Sequence, residues 1–342
     1  MKAAVLKAFG SPLAIEEVED PRPGPDDIVM KVMACGIDGT DLKLLNGFGY
    51  APDLPFIMGH EPAGVVESVG DRVGTCKPGD RVIPYIFLIA RENPWYQTER
   101  EQLCPDMLGV LGVVGWNGGY AERLRVPAHQ LIHIPAGIAW RDAAVHCDAG
   151  LTAYHAVRRS RLAPGDAVLV IGVGGVGSFA VQFAKLAGAR VIAVERTKAK
   201  RDWARALGAT EAIGTTDVEQ AVPDLTGGRG VACVLDMVGT GGSLEAGISV
   251  VCAGGRIVVV GYTPHSFVLS AKMLAQRELE VIGSRSGSRG ELRAALGLTA
   301  AGRVNSIVTD SSLLGDVNGA LDKLRTGQVI GRLVLDFTRG AN

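Results

Sequence analysis

The feature that most constrains this chain is an apolar run, Ala167–Ile171, that leads directly into Gly172-Val-Gly174-Gly-Val-Gly177 and then into a helical pattern. A G-x-G-x-x-G match alone is a weak signal. A strand before it and a helix after it are what its mechanics require. The first glycine permits a tight turn, the second lets the backbone approach a pyrophosphate, and the third lets helix and strand pack closely. Gly175 and Val176 fall in the first helical turn, where unpaired N–H groups and the helix dipole favour phosphate. The next strand-like run ends in Glu195. An acid there can accept hydrogen bonds from both ribose hydroxyls of NAD and repel a 2′-phosphate. Arg196 and Lys200 follow and would attract that phosphate, so NADP stays open beside the favoured NAD. The bland alternative, a glycine-rich turn with a surface glutamate, would need strand, turn, helix and acid to fall in register by accident.

From about residue 150 the chain alternates apolar runs (AVLVIGV, RVIAVE, ACVLDMV, GGRIVVVGY) with helical patterns such as TKAKRDWARALGA and GGSLEAGISVVC. Such alternation implies an α/β Rossmann fold, a doubly wound parallel sheet covered by helices on both faces. Residues 1–135 differ. Short β-like runs, among them IVMKVMACGI (28–37), AGVVESVG (63–70) and GDRVIPYIF (79–87), are separated by Gly, Pro and Asp. They read as an irregular, mainly β domain. Residues 290–326 read as helical, and 332–337 as a terminal strand. At 342 residues the chain exceeds the usual single core, so two domains are expected.

Net charge excludes some functions. The formal charge is −1 with no long basic run, which removes the electrostatic basis for nucleic-acid or membrane-surface binding. Residues 1–20 lack a secretory pattern, and no apolar stretch approaches the roughly 18–20 residues that span a bilayer. A cytoplasmic location is expected. The six cysteines are scattered and read as reduced thiols.

Three further segments carry a resemblance: GIDGTDLK (36–43), GHEPAGVVESVG (59–70) and CDAGLTAYHAV (147–157). With GDRV (79–82) and GGYAE (118–122), they make the whole chain resemble the medium-chain, zinc-type alcohol and polyol dehydrogenases. The resemblance implies a GroES-like, mainly β catalytic domain of residues 1–149 and 286–342, with the Rossmann domain (150–285) inserted. It also implies an active site in an interdomain cleft, a small-molecule alcohol or carbonyl substrate, and a homodimer or homotetramer.

In that family a catalytic zinc is held by a Cys, a His and a third Cys, Glu or Asp. His60 falls on the histidine and Asp148 on the third ligand. The first ligand departs from the pattern, since Asp38 stands where most members carry Cys. Zinc accepts carboxylate oxygen, and Asp38, His60 and Asp148 would match the formal charge of a Cys–His–Asp set. Losing the soft thiolate leaves a harder site. A retained zinc and an empty polar site both remain open. Cys35 and Cys147 lie nearby, but a shift of one or three residues on a strand turns a side chain to the opposite face, so both read as packing residues. Thr40 matches the hydroxyl that binds the substrate oxygen and starts a proton relay. Lys43 occupies the place of the histidine that continues the relay, and a solvated lysine is the equal alternative. Glu61 would exchange at the metal or order its surroundings. Thr152 and Arg332 match cofactor contacts, near the nicotinamide and the pyrophosphate respectively.

Many members also carry four cysteines in the lobe matching residues 88–105. Here only Cys104 remains, with Ala90, Asn93 and Tyr96 at the other positions. One thiol cannot close a tetrahedral site, so no structural zinc is expected. Trp95 and Tyr96 would pack in its place or border the substrate. Phe48, Tyr50, Trp116 and His146 are further candidates for the substrate cleft.

The favoured reading is a zinc-dependent, NAD-linked dehydrogenase of a secondary alcohol, polyol or sugar. The alternative is a zinc-free NAD(P)H-dependent enone or quinone reductase of the same fold, which Asp38 favours and His60, Glu61 and Asp148 oppose. A non-catalytic dinucleotide-binding protein is a third class.

Overall fold

The computed structural model describes residues 1–339. It divides into two compact units. One comprises Met1–Asp148, Ser288–Ala301 and residues 306–339; the other comprises Ala149–Gly287 and Gly302–Asn305. The short piece 302–305 thus leaves the tail and joins the second unit, where Gln182 exchanges hydrogen bonds with the Asn305 backbone.

The second unit is built on a six-stranded sheet in the order Glu211–Ile213, Arg190–Val194, Ala167–Ile171, Val231–Asp236, Val251–Val259, Glu280–Gly283. Every neighbouring pair is parallel. The central strands are buried on both faces, which is why they read as unbroken apolar runs rather than alternating ones. Leu169, Ile171, Val194, Val234, Leu244 and Ile248 belong to one core cluster. Gly172 takes φ +87°, and a Cβ on Gly177 would meet the Gly172 carbonyl oxygen at 1.9 Å. The third glycine of the motif is therefore a packing requirement between helix and loop. A Gly177→Ala variant is expected to push the helix Gly175–Leu186 off the loop and to weaken at least about tenfold the NADH binding that the glycine motif implies. NADH fluorescence titration would show it; unchanged affinity would remove the close-packing argument.

The first unit is mainly β. Its largest sheet runs Leu131–His133, Arg81–Pro84, Glu61–Val69, Asp27–Ile37, Arg332–Asp336, Val308–Ser312, with Arg123–Pro127 also paired to Asp27–Ile37. The last strand therefore inserts between Asp27–Ile37 and the edge strand Val308–Ser312. Its register sets Leu333 opposite Ile37, while on the other side of strand Asp27–Ile37 Gly36 stands opposite Glu61. The C-terminal segment corrects one expectation. Residues 290–326 are not helical throughout: helices Arg289–Ala300 and Val317–Arg325 flank a strand, Val308–Ser312. That strand, VTDSS, carries no apolar alternation and is held by parallel pairing to the last strand.

The lobe at residues 88–105 is fixed by a buried ion pair. Arg289 binds Glu101 through its Nε and the Tyr96 carbonyl through Nη2 at 2.8 Å. Its guanidinium also lies 3.6 Å from the Tyr96 ring centroid. The Tyr96 hydroxyl donates to the His129 carbonyl at 3.0 Å, and Asn93 donates to the Cys104 sulfur at 3.5 Å. Tyr96 thus packs the lobe, as one of its two expected readings had it. Among the described residues no helix is long and apolar enough to cross a membrane.

Candidate active site

Strand Asp27–Ile37 ends where Asp38 caps the helix Gly39–Leu45. Asp38 Oδ1 accepts from the Thr40 N–H at 2.7 Å, and Asp41 Oδ2 accepts from the Asp38 N–H at 2.8 Å. This reciprocal cap satisfies helix donors that would otherwise be orphaned, and it holds both carboxylates in place. The hydroxyl of Tyr120 donates to Asp41 Oδ2 at 2.8 Å, which leaves Asp41 Oδ1 facing His60.

His60 is buried and precedes the strand Glu61–Val69. Its Nε2 lies 3.6 Å from Asp38 Oδ1 and 3.8 Å from Asp148 Oδ2. Its Nδ1 lies 3.5 Å from Asp41 Oδ1. Neither ring nitrogen has a hydrogen-bond partner among the described residues. Asp148 arrives on a π-helical turn, His146–Gly150, a rare geometry that often marks functional positions. One ligand atom each from Asp38, His60 and Asp148 lies within 4.8 Å of the others. Cys35 and Cys147 are buried and stand outside this group, and the Cys147 thiol donates to the Pro62 carbonyl.

Beside this trio lies Arg332, also buried. It forks onto Glu61, with Nε donating at 2.9 Å and Nη2 closing the second bond. Nη2 also donates to Asp38 Oδ2 at 3.2 Å and lies 3.9 Å from Asp148 Oδ2. A Cβ on Gly36 would fall 1.8 Å from Glu61 Oε2, so only glycine leaves room for that carboxylate opposite it. Burial raises the Glu61 carboxyl to about 7, against the pull of Arg332. Burial would also raise Asp38, but His60 and Arg332 outweigh it and hold Asp38 below the ordinary carboxylate range. Burial lowers His60 and is outweighed by Asp38, Asp148 and Asp41, so its net shift is upward. Lys43 is half-buried, and desolvation depresses its ammonium against the opposing fields of Asp38 and Asp148.

The structure thus brings Asp38, Thr40, His60, Glu61, Asp148 and Arg332 together in the first unit. Asp41 and Tyr120, unassigned from the sequence, join them. The signal for Asp41 was its capping-box spacing after Asp38. Arg332 is tied up with carboxylates, contacts that a cofactor role alone would not call for. His146 has its ring nitrogens on the Asp142 carbonyl and the Thr299 hydroxyl, at 2.7 and 2.9 Å. Trp116 donates its indole N–H to the Arg125 carbonyl.

The second unit holds the other group. Gly174 caps the helix Gly175–Leu186. A Cβ there would meet nothing within 4 Å, which leaves the loop open where a pyrophosphate would approach. Glu195 accepts from the Val173 and Arg196 N–H groups at 2.8 and 3.0 Å, so the acid ties the glycine loop to the end of the second strand. Arg196 is exposed, and Lys200 lies in the first turn of the helix Lys198–Leu207. Arg201 donates to the carbonyls of Glu195 and Arg196. Thr152 is buried on the helix Leu151–Ser160.

The sequence matches the zinc-binding dehydrogenase family over residues 175–301 and the alcohol dehydrogenase GroES-like domain over residues 24–136. It is 34% identical over 339 residues to an alcohol dehydrogenase of Geobacillus stearothermophilus, covering 98% of this chain and 99% of that one. The chain belongs to the zinc-type, medium-chain alcohol dehydrogenase family. This alcohol dehydrogenase family member is therefore an oxidoreductase with a GroES-like domain and a Rossmann domain. An NAD-dependent alcohol dehydrogenase of Sulfolobus acidocaldarius is 32% identical over 99% of this chain and 100% of its own length. The crystal structure of the alcohol dehydrogenase from Aeropyrum pernix superposes with a TM-score of 0.92 at 32% identity, covering 98% of this chain and 100% of that one.

Do the residues of this family member suit a zinc ion? Zinc bonds of about 2.0–2.2 Å in a tetrahedron place neighbouring ligand atoms about 3.3–3.6 Å apart. The observed 3.6 and 3.8 Å separations around the unpartnered His60 Nε2 are close to that. Nδ1 faces a carboxylate, the usual arrangement behind a metal-binding histidine. The donor set fits. An Asp41→Asn variant keeps the volume but loses the negative charge behind His60. It is expected to weaken zinc binding about 10- to 100-fold, read by competition with a chromophoric chelator. Unchanged affinity would show that Asp41 serves the helix cap alone.

Proposed function

We propose that this chain is a zinc-dependent, NAD-linked dehydrogenase that oxidises a secondary alcohol, polyol or sugar, or reduces the matching carbonyl. The observation that carries the reading is the buried Nε2 of His60, without a hydrogen bond among the described residues, between the carboxylates of Asp38 and Asp148. A zinc ion held there would supply Lewis-acid polarisation of the substrate oxygen. Thr40, partly exposed in the first turn of the helix that Asp38 caps, offers a hydroxyl to accept the substrate proton by hydrogen bonding. Lys43 lies one turn further along that helix, on the same side, where it can take the proton onward. On the cofactor side, the glycine loop and helix start at Gly172, Gly174, Gly175, Val176 and Gly177 bind the pyrophosphate. Glu195 faces the ribose. Its carboxylate, fixed by two backbone N–H groups, repels a 2′-phosphate and so favours NAD over NADP despite Arg196 and Lys200. Thr152 lies toward the nicotinamide in this reading.

The test is metal content per chain on protein purified without chelator or histidine tag, beside an Asp38→Ala variant. About one zinc in the parent, far less in the variant, and turnover of alcohols with NAD are expected. A parent without zinc, still active on enones after zinc has been withheld, would move the chain to the zinc-free reductases. The hold of Arg332 on Asp38 is the observation that favours this second reading.

A further inference from the structure

We propose that Arg332 is a resident counter-cation of the metal ligands: it offsets part of their carboxylate charge in the metal-free protein and competes with a divalent ion for Asp38. The inference rests on the metal reading above and concerns what sets the affinity of that site. One guanidinium reaches three carboxylates, forking onto Glu61, donating to Asp38 at 3.2 Å and lying 3.9 Å from Asp148. Asp38, Glu61 and Arg332 are all buried, and buried carboxylates without a nearby cation are strongly destabilising. Arg332 supplies that cation permanently. Its backbone N–H is bonded to the Ile307 carbonyl at 2.8 Å and its strand is paired on both sides, which fixes the Cα, while the guanidinium itself is held by its bonds to Glu61 and Asp38.

The aspartate at position 38 makes the competition possible. Its two oxygens are divided: Oδ1, which also accepts the Thr40 N–H at 2.7 Å, faces His60 Nε2 at 3.6 Å, and Oδ2 faces Arg332. A divalent ion on the first side and a guanidinium on the second draw on the same negative charge and repel each other across it. A site arranged this way binds its metal reversibly and stays folded when the metal leaves.

The test uses the full chain, stripped with chelator, as wild type, Arg332→Met and Arg332→Gln. Zinc binding is measured calorimetrically, and thermal unfolding is followed with and without zinc. Both variants are expected to bind zinc at least about tenfold more tightly than wild type. Without metal, Arg332→Met is expected to unfold about 5 °C lower, a loss that zinc restores. Rescue by zinc separates a counter-cation from a merely structural arginine. If Arg332→Met folds only when expressed with zinc, the proposal stands in its extreme form. If it does not fold under either condition, Arg332→Gln decides by its zinc affinity. Equal zinc affinity in wild type and the folded variants would overturn the proposal and leave the metal site intact. Zinc binding by none of them would overturn the metal reading itself, and this inference with it.

Discussion

Replacing His60 with alanine is expected to abolish zinc uptake and to lower kcat/KM on an alcohol by about 10³-fold or more. His60 contributes the one nitrogen of the ligand trio, and its Nε2 is the atom that both carboxylates face. Without it Asp38 and Asp148 remain, and Asp38 is already held by Arg332. Two carboxylates do not make the usual three-ligand catalytic site. Lewis-acid stabilisation of a developing negative oxygen is worth several kcal/mol, and about 4 kcal/mol corresponds to about 10³ in rate. Metal content and steady-state kinetics should fall together. NADH binding should survive, because the glycine loop and Glu195 belong to the other unit. A variant that kept both zinc and turnover would show that His60 is a packed core histidine.

The second large effect is expected at the buried pair Arg289–Glu101. Glu101 is fully buried, and its Oε2 already lacks a hydrogen-bond partner among the described residues. Arg289→Ala would leave its charge uncompensated and also remove the guanidinium from the Tyr96 ring. Breaking a buried pair by deleting one partner costs about 3–5 kcal/mol, a fall of roughly 4–7 °C in Tm for a protein of this size. Burial raises the Glu101 carboxyl, so the orphaned side chain would sooner take up a proton than remain charged. The double variant Arg289→Ala, Glu101→Gln should therefore recover part of the loss. Calorimetry on the three proteins gives the answer. A single variant as stable as the parent would mean that the lobe at residues 88–105 is held by other contacts.

Much of the cofactor unit was legible because its signals are local. The turn at Gly172, the close approach at Gly177 and the acid at Glu195 depend on neighbours a few residues away or one strand over. Parallel strands buried on both faces also declare themselves as apolar runs. The first unit was harder. Its strands are short and interrupted, and Val308–Ser312 has no apolar period because backbone pairing with the last strand holds it. Asp41 stood in plain view as the third residue after Asp38. Its service to His60 appears only once Tyr120 has claimed its other oxygen.

By itself the sequence determined the Rossmann unit, the glycine loop and the family to which the chain belongs. These follow from the spacing of residue types along the chain. What only the tertiary structure decided is the charge balance at Asp38. Arg332 lies 294 residues away in sequence from the carboxylate it binds and 271 from Glu61. The three meet because antiparallel register sets Gly36 against Glu61 on one side and Ile37 against Leu333 on the other. No local pattern encodes that register. It is set by which strands share a sheet, and a shift of one residue would turn these side chains to the opposite face.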